Sequence, residues 1–190
     1  MKKVLRYEEN AAYWNRRWAE AGLDSDRFED DSIYPIKYAN MVMEDSSHRS
    51  LELGTGLGRI LKHYVHEGHR IVGLERSETA VRRLSSENPR FEICLGDVTG
   101  LPFHGEGFDV VLAFGVFHNL EEGMGGALTE TARVLKPGGR FCLSMRPNNF
   151  EMAFNEWYWR RRQRQSKSAG QKFHKWLVGE KEFRKVLSVK

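Results

Sequence analysis

Glycines alternate at positions 54, 56 and 58 of the segment LELGTGLGR (51–59), close behind an acidic side chain, Glu52. Glycine lets backbone turn through a left-handed conformation and approach a ligand closely. A helix that starts on such a turn aims its free N–H groups at whatever sits there. The chemistry on offer is recognition of a nucleotide-like group by main chain. A dinucleotide turn wants glycines at its first, third and sixth positions, and the sixth position counted from Gly54 is Arg59. That breaks the pyrophosphate pattern and weakens a nicotinamide reading. The run HYVHEGH offers His63, His66 and His69 as metal ligands. No cysteine or carboxylate cluster accompanies them, and they lie at the far end of the helix from the glycine turn, so no metal is expected.

These residues need strands and helices to hold them. Short apolar runs at SLEL (50–53), RIVGLE (70–75), FEICLG (91–96), FDVVLAF (108–114) and GRFCLSM (139–145) read as strands. The segments RILKHYVHEG, SETAVRRLSSEN and GMGGALTETARVLKPGG between them carry three-to-four-residue apolar spacing, and the last closes on Pro-Gly-Gly, a helix stop. Strand and helix in alternation predict a parallel sheet covered on both faces. Right-handed crossovers then give the order 3-2-1-4-5, with one reversal at a ligand crevice. Ahead of the sheet, YEENAAYWNRRWAEAG reads as a helix ending at Gly22, followed by an acidic loop and a second helix through YPIKYANMVME.

The glycine turn behind an acidic residue resembles motif I of the class I S-adenosylmethionine-dependent methyltransferases, and the rest of the body is similar in order and spacing. Glu75 ends the second strand, Gly96-Asp97-Val98 ends the third and is followed by LPF, FDVVLAFGVFHNL resembles the fourth motif, and ARVLKPGG (132–139) resembles the post-helix signature. The resemblance covers residues 46–147 and is closest to the small-molecule group that includes the quinone-biosynthesis methyltransferases. It implies a Rossmann-like doubly wound, mostly parallel α/β sheet with helices on both faces. It also implies S-adenosyl-L-methionine as cofactor and S-adenosyl-L-homocysteine as product. By the same resemblance, Gly54, Thr55, Gly56 and Gly58 form the cofactor turn, and Glu75 with its neighbour Arg76 sits at the ribose. Asp97 and Val98 meet the adenine, Glu52 lies near the methionine amino group, and the backbone of Ala113 and Phe114 lies near the methionine end. Tyr13 and Trp14 either close over the cofactor or pack a helix face on the core. His118, after the fourth strand, is either the base that takes a proton from the methyl acceptor or a structural histidine.

The expected reaction is methyl transfer to a small molecule. Two alternatives stand beside it: a nucleic-acid acceptor held by the basic, aromatic NEWYWRRRQRQ, and a non-catalytic methyltransferase-like binding or scaffold protein. Family members usually finish with two further strands paired as a hairpin. Here GEKEFRKVLSVK reads as the helix before them, so the fifth strand becomes a candidate bare edge, covered by the tail or by a second chain in a homodimer.

Composition sets the frame. The 190 residues, 40% hydrophobic and 12% aromatic, suit one domain. Within it we delimit an N-terminal helical cap (1–45), a cofactor-binding core (46–147) and a basic helical lid or tail (148–190). The formal charge of +4 hides an asymmetry, because residues 156–190 hold 11 Lys and Arg against 3 Glu. QRQSKSAGQK (163–172) reads as a loop in that tail. Cys94 and Cys142 sit in separate apolar runs and read as free thiols. No apolar run approaches the roughly 18 residues a membrane span needs, and MKKVLRYEEN lacks the apolar stretch of a secretory signal. A cytoplasmic protein is expected.

Overall fold

The structure, a computed structural model, describes residues 1–6, 9–21, 32–162 and 172–187. The expected end of the first helix at Gly22, the acidic loop after it and most of the 163–172 loop lie outside the described residues. In chain order the elements are β1 (Lys2–Arg6), α1 (Asn10–Glu20), α2 (Ile36–Ala39), β2 (Arg49–Leu53), α3 (Arg59–His66), β3 (Arg70–Glu75), α4 (Glu78–Glu87) and β4 (Glu92–Leu95). There follow β5 (Phe108–Ala113), a 3-10 turn at Phe117–Asn119, α5 (Gly125–Val134), β6 (Leu135–Leu143), α6 (Phe150–Arg162), β7 (Lys172–Leu177) and α7 (Glu180–Leu187).

Five strands form one parallel sheet in the order β4-β3-β2-β5-β6. This is the expected 3-2-1-4-5 arrangement. Its central strands bury apolar side chains on both faces because helices cover both. On β5, Val111 and Ala113 join one buried cluster with Leu51, Leu53 and Phe117, while Val110 and Leu112 join the other with Ile60, Leu61 and Tyr64. Full burial of a large apolar side chain contributes about 1.5–3 kcal/mol, so the alternation on β5 anchors both layers.

Three expectations need correction. First, the Pro-Gly-Gly stop lies inside a strand. α5 ends at Val134 and β6 starts at Leu135, opposite Phe108, with a register shift before Arg140 pairs with Val110. Lys136 fixes the early start, its Nζ 2.8 Å from both carboxylate oxygens of Asp109 on β5. Second, the second helix shrinks to the four residues Ile36–Ala39.

Third, the cap and the tail are not wholly helical. β1 and β7 pair antiparallel, Lys2 opposite Leu177 and Arg6 opposite Lys172. Neither strand has a partner nearby in sequence, and each becomes a strand by burying Val4, Phe173 and Leu177 against the body. The tail also meets the sheet just past β6, where Val178 N–H donates to the Arg146 carbonyl at 2.9 Å and Asn148 N–H to the Val178 carbonyl at 3.1 Å. Along β6 itself, no strand among the described residues pairs with the outer side.

Candidate functional site

Beyond the C-terminal ends of β2, β3, β4 and β5 lies a cavity of about 990 Å³. It sits where the strand order reverses between β2 and β5, the position at which open α/β sheets bind ligands. Its floor is the glycine turn, with φ of +72°, +58° and +80° at Gly54, Gly56 and Gly58. At Gly56 the space is closed as well, since a Cβ there would come within 2.9 Å of the Trp18 indole. Gly58 serves as the N-cap of α3 and does not line the cavity.

Glu75 holds the turn in shape. Its Oε2 accepts from Gly56 N–H at 2.9 Å and its Oε1 from Ser77 N–H at 2.7 Å. An ionised carboxylate offers about four acceptor positions, so this side chain keeps capacity for two more donors on the cavity side. Ser77 caps α4, accepting from Ala80 N–H at 3.4 Å, and its hydroxyl lies 2.5 Å from Asn15 Oδ1 on α1. Arg76 also lines the cavity, its guanidinium 3.9 Å from Asp97 Oδ2. The other oxygen of Asp97 accepts from the Thr99 N–H at 2.9 Å and the Thr99 hydroxyl at 2.7 Å, which fixes the carboxylate at the end of β4 beside Val98.

Glu52 is buried on β2, and its Oε2 accepts from Leu61 N–H, an N-terminal amide of α3, at 3.1 Å. That bond and the positive end of the helix favour the anion, but burial outweighs them and the nearby Glu75 charge adds to it. The carboxyl is pushed up to about 8. Thr55 lies beside it, its hydroxyl donating to the Glu52 carbonyl at 3.3 Å.

At the end of β5 the cavity is lined by Phe114, Gly115 and Val116, whereas Ala113 is fully buried beneath them with its carbonyl bonded to Ser144 N–H at 3.0 Å. His118, on the 3-10 turn, lines the cavity, is buried, and its Nδ1 has no hydrogen-bond partner. Burial first, then the Arg146 and Lys175 cations, push this imidazole down to about 3. It is neutral at physiological pH, a hydrogen-bonding group and a weak base.

The roof is α1. Asn10, Tyr13, Trp14, Arg17 and Trp18 all line the cavity, and their three-to-four spacing places them on one helical face. Both Tyr13 and Trp14 are therefore cavity residues. The roof is pinned at both ends. Asn10 Nδ2 donates to the Asn119 carbonyl at 2.8 Å, and the Arg83 guanidinium on α4 donates to the Trp18 carbonyl and, at 3.0 Å, to that of Ala21. Trp14 and Trp18 stack with centroids 5.3 Å apart.

Sequence reasoning missed several lining residues: Trp18, Asn10, Tyr34, Arg146, and His174 and Lys175 on β7. Trp18 and Asn10 share the helical period of Tyr13 and Trp14, so that period would have found them. His174 and Lys175 reach the cavity only through the β1–β7 pairing, which leaves no local mark. Away from the cavity, the His63 and His69 rings pack edge-on to Tyr64 at 4.8 and 5.0 Å. Cys94 and Cys142 are free.

Comparison with known proteins adds to this geometry. A family model described as a methyltransferase domain matches residues 51–143. A demethylmenaquinone methyltransferase of Clavibacter sepedonicus is 32% identical over 118 residues, 60% of this chain and 47% of the relative. One from Tropheryma whipplei is 30% identical over 137 residues, 70% of this chain and 57% of the relative. The chain thus spans about half the length of the curated relatives it matches. Among solved structures, a S-adenosylmethionine-dependent methyltransferase from Methanosarcina mazei superposes with a TM-score of 0.66 at 18% identity, over 82% of this chain and 83% of that one. The matched span runs from inside β2 to the last residue of β6, taking in the parallel sheet and its glycine turn, and this part of the chain is a methyltransferase domain similar to those of the class I S-adenosylmethionine-dependent family.

Proposed function

We propose that this protein transfers the methyl group of S-adenosylmethionine to a small-molecule acceptor, releasing S-adenosylhomocysteine. One observation carries the reading: three carboxylates at the ends of adjacent strands, Glu52, Glu75 and Asp97, open with the glycine turn into a single cavity. Its volume of about 990 Å³ stands at the upper end of the usual range for small-molecule sites.

The residues fit such a cofactor. Glu75 has acceptor capacity left for a pair of ribose hydroxyls after bonding Gly56 and Ser77. Glu52 offers a buried carboxyl that an ammonium group would ionise. Asp97 and the Val98 backbone edge the adenine end, and the Trp14–Trp18 stack covers the turn from above. Bound there, the cofactor supplies a sulfonium methyl already activated for attack.

The protein's own work is placement and exclusion of water. α1 roofs the site, and Phe114, Val116 and Leu120 supply apolar wall next to His118. His118 lines the cavity beside this wall and, as a neutral imidazole, is suited to hold the acceptor by a hydrogen bond. Its low basicity favours that positioning role over complete proton removal. The small-molecule class is supported by relatives named for a quinone precursor, and a cytoplasmic setting is consistent with it.

Calorimetric titration with S-adenosylmethionine and S-adenosylhomocysteine tests the reading first, and micromolar binding of both is expected. Transfer of labelled methyl to the small-molecule fraction of a cell extract tests it second. Binding of neither ligand, or label appearing only in nucleic acid, refutes it.

A further inference from the structure

The helix α6 turns its largest apolar side chains outward. A helix packed on a soluble body turns its apolar stripe inward and its polar residues to water. In α6, Phe150, Phe154, Trp157 and Tyr158 are 85%, 54%, 50% and 41% exposed, and their spacing of four, three and one places them on one face. The other side carries the half-buried Met152, Ala153, Asn155 and Glu156, and Glu156 is spent on an ion pair with Lys175 at 2.5 Å. Four exposed aromatic rings in a row are more than a soluble surface usually leaves bare.

We propose that α6 docks the protein on an anionic lipid surface, its aromatic face lying in the headgroup layer. Three observations select this occupant. The face is a single convex helix, whereas single-stranded nucleic acid is bound in charged grooves that track the backbone. Among the described residues no helix is long and apolar enough to cross a membrane, and a helix of 13 residues, about 20 Å long, suits lying along the interface. The charge is also complementary. The Arg161 guanidinium sits 4.8 Å from the Trp157 ring centroid, on the aromatic face. The 11 Lys and Arg against 3 Glu of residues 156–190 give this part of the chain a net positive charge that favours lipid phosphates over a second, equally basic copy. Aromatic rings flanked by arginine are the composition that settles at the water–lipid boundary. Because Glu156 ties α6 to Lys175 in the cavity wall, docking brings the cavity close to the bilayer.

The test is co-sedimentation of the full chain with vesicles of phosphatidylcholine alone and with about 30 mol% phosphatidylglycerol added. The protein should pellet with the anionic vesicles only, and release as salt rises towards about 0.5 M. The double variant Phe154→Ser/Trp157→Ser should bind at least about tenfold more weakly, and Arg161→Gln about threefold more weakly. All three proteins should keep the same circular dichroism and the same S-adenosylhomocysteine affinity. Should the double variant fold poorly, Phe150→Ser, at the most exposed of these positions, carries the same expectation. The proposal is overturned if the wild type ignores anionic vesicles, if the variants bind them equally well, if single-stranded RNA is bound in preference to vesicles, or if the aromatic face instead mediates a dimer.

Discussion

Replacing Glu52 by glutamine should stabilise the protein, and increasingly so as the pH rises. The wild-type carboxyl is buried on β2, and although hydrogen bonds from Leu61 N–H and the Thr55 side chain favour its anion, burial raises it from 4.5 to about 8. An acid whose folded value is raised holds its proton in the folded state over a range where the unfolded chain has lost it. Its stabilising contribution is complete below about pH 4.5 and is lost as the pH climbs through about 8. Each pH unit in that window costs about 1.4 kcal/mol, so the whole window amounts to about 3–5 kcal/mol. Glutamine keeps an acceptor for Leu61 N–H and cannot ionise. His118 contributes with the opposite sign at lower pH: lowered from 6.5 to about 3, it loses stability as the pH falls through that interval. The two slopes offset between about pH 4.5 and 6.5, so wild-type stability alone would look flat there. The difference between variant and wild type removes the histidine term. Urea unfolding of both proteins from about pH 5 to 9 should give a difference that grows monotonically in favour of Glu52→Gln. Parallel pH dependences would show that Glu52 is ionised in the folded protein and would refute the desolvation argument.

Three further outcomes follow from the same geometry. If an ammonium group of the cofactor comes to rest at Glu52, binding of S-adenosylhomocysteine near pH 7 should release close to one proton; calorimetry in buffers of different ionisation enthalpy measures this, and a buffer-independent heat contradicts it. Glu75→Ala should weaken cofactor binding by about 10- to 150-fold, equivalent to about 1.5–3 kcal/mol, because it removes the ribose acceptor and releases the Gly56 and Ser77 amides; an unchanged dissociation constant rules out that role. Gly56→Ala should cost about 1–2 kcal/mol of stability from the left-handed backbone alone, plus a steric part against Trp18 that a Trp18→Ala background relieves; a double-mutant cycle with no coupling would show that the indole does not press on the turn.

The legible parts of the fold were those whose cause is local. RIVGLE matches β3 residue for residue because a strand buried on both faces shows as an uncharged run, here Ile71 to Leu74. The glycine turn was legible for a similar reason, since a left-handed backbone demands its residue type in place. Where distant partners decide the structure, the reading failed. Pro137, Gly138 and Gly139 look like a helix stop, yet the Lys136–Asp109 pair draws them into β6. The β1–β7 pair escaped notice because neither KKVLR nor KFHKWL carries a clean alternation, and their register joins residues at opposite ends of the numbering. The site followed the same division. Glu75 and Asp97 could be placed by counting along strands, but His174, Lys175 and Arg146 reach the cavity only once the tail has returned to the body.

That return has a consequence for the order in which the protein acquires its parts. β1 precedes the roof helix, and its strand partner among the described residues begins at Lys172. During synthesis the glycine turn and strands β2 to β5 are made well before that strand exists. A nascent chain therefore passes through a stage with a completed floor and no latch for its roof. Residues 2–6 wait for their strand partner until Lys172 and its neighbours have been made, and closing so long a loop becomes a late step. The roof of the binding site is latched after its floor, so ligand capture reports that the strand from Lys172 has been made as well as that the sheet has folded.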